Sequence, residues 1–342
     1  MQPKILNYIA HLISEGDRDV VRKTVDTFNI SRSTVYNYIS VLKTENIIDT
    51  DGRGKYKLKT NSAHFLYDLN TESRLEEDQV FNADIAPLLQ GLDENVFKAW
   101  RYAFTEMMNN AIEHAAAKQI FCLVEQTALD TVIAICDNGM GIFRNIQQYF
   151  EKVKGEKLTF SECAALLLAG KFTTAESGHS GEGIFFTSHL MDEFFIKSGG
   201  VIFSRTNFDD FHHVIRPGEK IDATIVFMKL SNKTKKTVKD IFDLFADVDL
   251  GFYRTSIPVA HMFPHGSPVS RSEARRLITI LEQFKEATLD FSDVPEVGQA
   301  FAHELFVVWK RRAPNVNICV KNMNDTTERM VKRVKVDAGI ED

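Results

Sequence analysis

The stretch Phe104–Ala115, FTEMMNNAIEHA, decides how the rest of this 342-residue chain is read. It lies inside a long helical pattern running from about Glu94 to Ala117. Side chains four residues apart share one helix face, so Glu106, Asn110 and His114 project together. Phe104, Met108, Ala111 and Ile112 are left to pack elsewhere. Such a stripe suits metal-triphosphate chemistry. Asn110 offers an oxygen to Mg2+, Glu106 can orient or deprotonate a water, and His114 would lie nearer the phosphates. Alone the pattern also describes many solvated helix faces, so its companions carry the weight.

The next apolar runs, Ile120–Glu125 and Thr131–Cys136, predict paired strands joined by a turn near Leu129 and Asp130. The second strand ends in DNGMGI. A carboxylate at this point, Asp137, can accept a hydrogen bond from an exocyclic amine such as that of adenine. Gly139 and Gly141 let the backbone turn close to a flat base. Further on, GHSGEGI places Gly178, Gly181 and Gly183 ahead of an apolar helical stretch that begins at Ile184. Free amides and the helix dipole there favour phosphate.

Taken together, ExxxN with a following His, then DxGxG, then GxxGxG resemble the three boxes of the gyrase, histidine-kinase and MutL (GHKL) ATP-binding fold. The resemblance implies that Glu106 activates water, Asn110 holds Mg2+, Asp137 reads adenine and Gly178–Gly183 close over the phosphates. It also implies an ATP lid over Phe143–Ser177, with Lys171, Thr173 and Thr174 approaching the nucleotide. Thr224 stands where the family has its last nucleotide-facing threonine, although the family's usual Gly-Thr pair is Ala223-Thr224 here. Runs Phe194–Lys197, Val201–Arg205, His212–Ile215 and Thr224–Lys229 predict the remaining strands.

Ahead of this unit, Ile5, Tyr8, Ile9, Leu12 and Ile13 recur at helical spacing. A second short helix follows Asp19, and a third runs from about Arg32 to Glu45 after a cap at Ser31. SRSTVYNYISVL resembles a helix-turn-helix recognition helix, whose N-terminal side chains meet base edges and phosphates. The residues so placed are Arg32, Ser33, Thr34 and Asn37. The hairpin around DGRG would be a wing bearing Arg53 and Lys55. Through Thr60 there are ten Lys or Arg against seven acids, in a chain of net charge -6. The basic surface is local, as DNA contact requires; a protein-protein or dimerisation module is the alternative.

From about Gly251 strand and helix alternate, which predicts a small α/β unit. TLDFSDVPEVGQAFAHELF, Thr288–Phe306, resembles the STAS domain of anti-sigma-factor antagonists. The position matching that family's phosphoacceptor serine is Gln299, so the resemblance implies an interaction domain without its acceptor hydroxyl.

The expected architecture is an α/β and α+β multidomain protein. A winged helix (1–62) is followed by a linker (63–90), a GHKL α/β sandwich with helices on one face of a mixed sheet (91–235), a STAS-like α/β unit (245–336) and a tail (337–342). Apolar and charged fractions of 44% and 26% exclude disordered, collagenous and disulfide-stapled classes. Four widely spaced cysteines read as reduced thiols. The first residues are too polar and too short in apolar run for a signal peptide or membrane span, giving a cytoplasmic expectation. ATP and Mg2+ are the implied ligands; DNA, and a protein partner or a dimer formed through the STAS-like unit, are the implied macromolecular contacts. Three functions follow: a nucleotide-switched transcription regulator with slow hydrolysis, a serine kinase acting on a separate STAS protein, or a non-hydrolysing ATP-dependent scaffold.

Overall fold

Pro3 opens the first helix, α1 (Pro3–Ser14), where its missing N–H costs nothing. The helix buries Ile5, Ile9, Leu12 and Ile13. Helix α2 (Val20–Phe28) stops at Asn29, whose φ of 50° is left-handed. Ser31 then caps α3 (Arg32–Thr44), its hydroxyl accepting from the Thr34 amide at 3.1 Å. A hairpin of β1 (Ile48–Thr50) and β2 (Tyr56–Leu58) follows, with Ile48 opposite Leu58. The structure, a computed structural model, describes residues 2–52, 54–70, 75–155, 157–170, 182–206, 213–247, 251–263, 267–282 and 284–340. Among the described residues, these helices and this hairpin share a buried cluster separate from that of the rest.

The segment 63–90 differs from the linker read from its composition. Strand β3 (Asn61–Asp68) begins only two residues after the hairpin and joins the main sheet. Its Tyr67 is buried and donates a hydrogen bond to Asp84 Oδ2 at 2.8 Å. Helix α4 (Glu77–Val80) and a π-helical turn (Phe81–Ile85) continue the chain, and Val80, Phe81, Ile85 and Leu89 lie in the main core. Alternating Ala63, Phe65 and Tyr67 supply the inward face that a linker lacks.

The central unit then runs α5 (Glu94–Glu113), β4 (Gln119–Gln126), β5 (Asp130–Asp137), α6 (Ile142–Lys154), α7 (Phe160–Ala169) and α8 (Gly183–Leu190). Next come β6 (Glu193–Ser198), β7 (Val201–Thr206), β8 (His213–Pro217), β9 (Thr224–Ser231) and α9 (Val238–Phe245). Among the described residues, seven strands form one sheet in the order β3-β4-β5-β9-β6-β7-β8. Every pairing in it is antiparallel, which corrects the mixed sheet expected from the sequence. The reason is topological: β5 and β6 point the same way across the α6–α8 connection, but β9 inserts between them and opposes both. Every second residue of β5 and β9 is buried. Trp100, Phe104, Met107 and Met108 of α5 belong to the core on that face. Opposite, the cross-strand neighbours Leu66 and Phe121 stay exposed.

A short pair, β10 (Ala246–Asp247) and β11 (Gly251–Phe252), leads into the last unit. There β12 (Arg254–Pro258), α10 (Val259–Met262), α11 (Arg271–Leu281) and β13 (Glu286–Asp290) are followed by α12 (Gln299–His303). A π-helical segment (Glu304–Trp309), α13 (Lys310–Arg312), β14 (Asn317–Lys321) and α14 (Asp325–Asp337) complete it. The strands pair in parallel in the order β12-β13-β14, following the strand-helix alternation of the sequence. No helix among the described residues is long and apolar enough to cross a membrane.

Candidate functional site

Helix α5 is the post around which the site is built. One side, from Val96 to Ala111, is buried. Along the other, Tyr102, Glu106, Asn110 and His114 recur at every fourth residue and are half-buried. The helix stops where His114 caps it, its amide donating to Asn110 O at 3.1 Å, and Ala116 takes a left-handed φ of 51°.

The turn after β5 is pressed onto that helix end. Met140 N donates to Ala115 O at 3.0 Å, and Asn145 Nδ2 to His114 O at 2.5 Å. Asn138 Oδ1 accepts from the Lys118 and Gln119 amides, each at 2.9 Å. A Cβ on Gly139 would lie 2.0 Å from Ala115 O, so only glycine allows this approach. Gly141 has a φ of 89°, and a Cβ there would meet Ser198 Oγ at 2.6 Å.

Asp137 itself is buried, with Oδ1 accepting from Gly139 N at 2.9 Å. Burial pushes its carboxyl above the ordinary range, and hydrogen bonds from Gly139 and Thr224 only partly offset that. Thr224 is the cross-strand neighbour of Asp137, and Ser198 is the neighbour of Thr224 on the other side. Thr224 Oγ1 accepts from Ile142 N at 3.1 Å, and Ser198 Oγ donates to Ala223 O at 2.8 Å. Ser198 was missed from the sequence because only the insertion of β9 brings it here.

At the other end of the stripe α8 begins against Glu106. A Cβ on Gly183 would lie 1.9 Å from Glu106 Oε2. Burial, and after it the charges of Glu106 and Glu182, raise the Tyr102 phenol above its usual value. Tyr102 continues the four-residue spacing but is an aromatic residue in an apolar helix, and so reads as core.

Glu106, Asn110 and His114 therefore share one side of α5 and its C-cap, and the turn after Asp137 packs on the end of that helix. Glu106 touches the start of α8, and Ala115 beside His114 touches the Asp137 turn. Asn110 lies between, about 6 Å along the axis from Glu106 at 1.5 Å per residue. Lys171, Thr173, Thr174, Gly178 and Gly181 lie outside the described residues. Among the described residues, no cluster of three or more His, Cys, Asp or Glu could hold a metal. Asn110 would thus be a metal ligand only in company with phosphate oxygens, which is how Mg2+ is commonly held.

Of the groups expected to meet DNA, Arg32, Ser33 and Asn37 are exposed at the start of α3, and Lys55 is exposed just before β2. Thr34 is half-buried. The Ser33 and Thr34 hydroxyls lie 2.7 and 2.8 Å from Ser31 Oγ, so both take part in the helix cap. Arg53 lies outside the described residues.

Residues 74–202 match the family of the histidine kinase-like ATPase domain. The match starts within the segment expected to be a linker, in keeping with the packing of α4 and the π-helical turn onto the core. It supports an ATP-binding regulatory role. Residues 273–328 match a STAS-like domain of unknown function, which is compatible with that role. No curated protein matches the chain.

Proposed function

We propose that this protein is an ATP-responsive transcription regulator of the cytoplasm. What supports it most is the convergence on α5 of a buried carboxylate flanked by glycines at Asp137, an amide at Asn110 and an acid at Glu106. Asp137 would accept the adenine amine, with Gly139 and Gly141 leaving the base its space. Asn110 would hold Mg2+ together with the phosphates, and the metal would neutralise charge on the triphosphate. Glu106 would orient the water for slow hydrolysis, and His114 would stand toward the phosphates. Lys171, Gly178, Gly181, Gly183 and Thr224 complete the proposed nucleotide set.

The first three helices and their hairpin are, in this reading, a winged helix that binds DNA through Arg32, Ser33, Thr34, Asn37, Arg53 and Lys55. The exposure of Arg32 and Asn37 beside a Ser31-capped helix start favours it, as does the local excess of basic residues. The STAS-like unit is read as a docking element. Gln299 opens α12, so a kinase reading would need an acceptor hydroxyl from another protein.

Calorimetric titration with Mg-ATP tests the site. Asn110→Ala and Asp137→Asn should each weaken binding more than tenfold, while Glu106→Gln binds normally but hydrolyses about 100-fold more slowly. Wild-type affinity in both of the first two variants would refute the assignment. Unchanged turnover in the third would remove Glu106 from the hydrolytic step, and Mg-ATP binding without turnover in the wild-type chain would make a scaffold the better reading.

A further inference from the structure

Helix α7 is buried from Glu162 to Leu167, Cys163 through Leu167 all lying in the core. A helix that is apolar all round needs cover on every side. Part of that cover comes from the STAS-like unit, whose β12 and α10 pack on α7. Across this junction Phe150, Leu158 and Leu166 face Met262, Phe263 and Ile280 around a cavity of about 40 Å³.

Glu162 of α7 bridges this apolar surface to Arg276 of α11. Glu162 is 7% exposed. Its Oε1 takes Arg276, while Oε2 accepts from the Thr159 amide at 2.7 Å and hydroxyl at 2.9 Å, closing the capping box of α7. One buried carboxylate thus both starts α7 and holds the STAS-like unit.

Among the other neighbours of α7, which include β7 and β8, helices α6 and α8 border the candidate nucleotide site. Helix α8, whose Gly183 abuts Glu106, packs on it. Helix α6, which leaves the Asp137 turn, is tied to its start by Gln147 Nε2 donating to Leu158 O. The ion pair is one helix away from each end of the polar stripe.

We propose that the Glu162–Arg276 pair couples nucleotide binding in the central unit to docking of the STAS-like unit, the docked state binding Mg-ATP more tightly. This rests on the ATP-binding reading above. Docking fixes α7, and with it α6 and α8, before the ligand arrives, so binding no longer meets the cost of ordering those walls. Linkage makes the effect reciprocal: bound ATP strengthens docking by the same factor. The pair suits the role because breaking it strands a buried carboxylate.

The test uses the full chain, titrated calorimetrically with Mg-ATP, with amide hydrogen exchange followed over 160–167 and 271–281. Arg276→Gln should weaken binding about tenfold, within the range typical of coupled sites, and abolish ATP-induced protection of α11. Arg276→Lys, which keeps the charge, should recover most of the affinity. Arg275→Gln is the control: its partner, Glu304 at 3.0 Å, lies within the STAS-like unit, so ATP affinity should not move. Wild-type affinity in Arg276→Gln, or equal weakening in Arg275→Gln, overturns the coupling. A wild-type chain that binds no Mg-ATP overturns the ATP reading itself, and the coupling with it.

Discussion

In the proposed reading, Asp137 is where the demands of recognition and of stability pull apart. A buried carboxylate is costly when ionised, and its raised pKa records that cost. With the folded-state value above the unfolded one, the associated stability is fully present below the ordinary carboxylate value of 3.8 and is lost as pH rises through the folded value. Asp137→Asn should therefore melt no lower than wild type near pH 4 and be more stable by about 1 kcal/mol at pH 7, while losing Mg-ATP binding. Thermal melts of both proteins from pH 4 to 8 check this, and a variant less stable at pH 7 would contradict it. Asp137 was legible from the sequence because a strand end, an acid and two glycines are local signals. The same holds for Glu106, Asn110 and His114, which share a helix face by spacing alone. Glu162 and Ser198 were not legible, since a docked unit and an inserted strand create their surroundings.

Among the elements, β3 teaches most. Its eight residues lie between a basic hairpin and the acidic run Glu76-Glu77-Asp78, and its partner is far along the chain, His64 pairing with Leu123. Three alternating positions, Ala63, Phe65 and Tyr67, are too short a pattern to outweigh that composition. The same non-local pairing hid the antiparallel sense of the sheet, because the order of β5, β9 and β6 cannot be inferred from any one of them. By contrast α5 was placed closely, its strong periodicity marking the start at Glu94. The two faces of β3 should respond differently to truncation. Tyr67→Ala removes a buried ring and its bond to Asp84, and should cost about 3 kcal/mol in urea unfolding. Leu66→Ala, on the face where that side chain is 63% exposed, should stay within about 0.5 kcal/mol. Equal losses would mean that β3 does not present these faces as described.

At the scale of the whole molecule, the first three helices and the hairpin have their own buried cluster, while a single cluster runs from Tyr67 to Val334 through the central and STAS-like units. Only Lys59 and Thr60 separate β2 from β3. Cores that share no buried contacts should melt separately, and a unit of about 60 residues buries too little of its surface to be very stable. Scanning calorimetry should therefore show two transitions, the smaller one at lower temperature. Mg-ATP at about 100 times its Kd should add about 2.7 kcal/mol to the larger transition alone. Deleting residues 1–60 should remove the smaller transition and, in the proposed reading, any affinity for DNA, while leaving the ATP shift intact. A single transition that moves as a whole with ATP would mean that the N-terminal unit draws its stability from contacts with the central one, and the two-core description would fail.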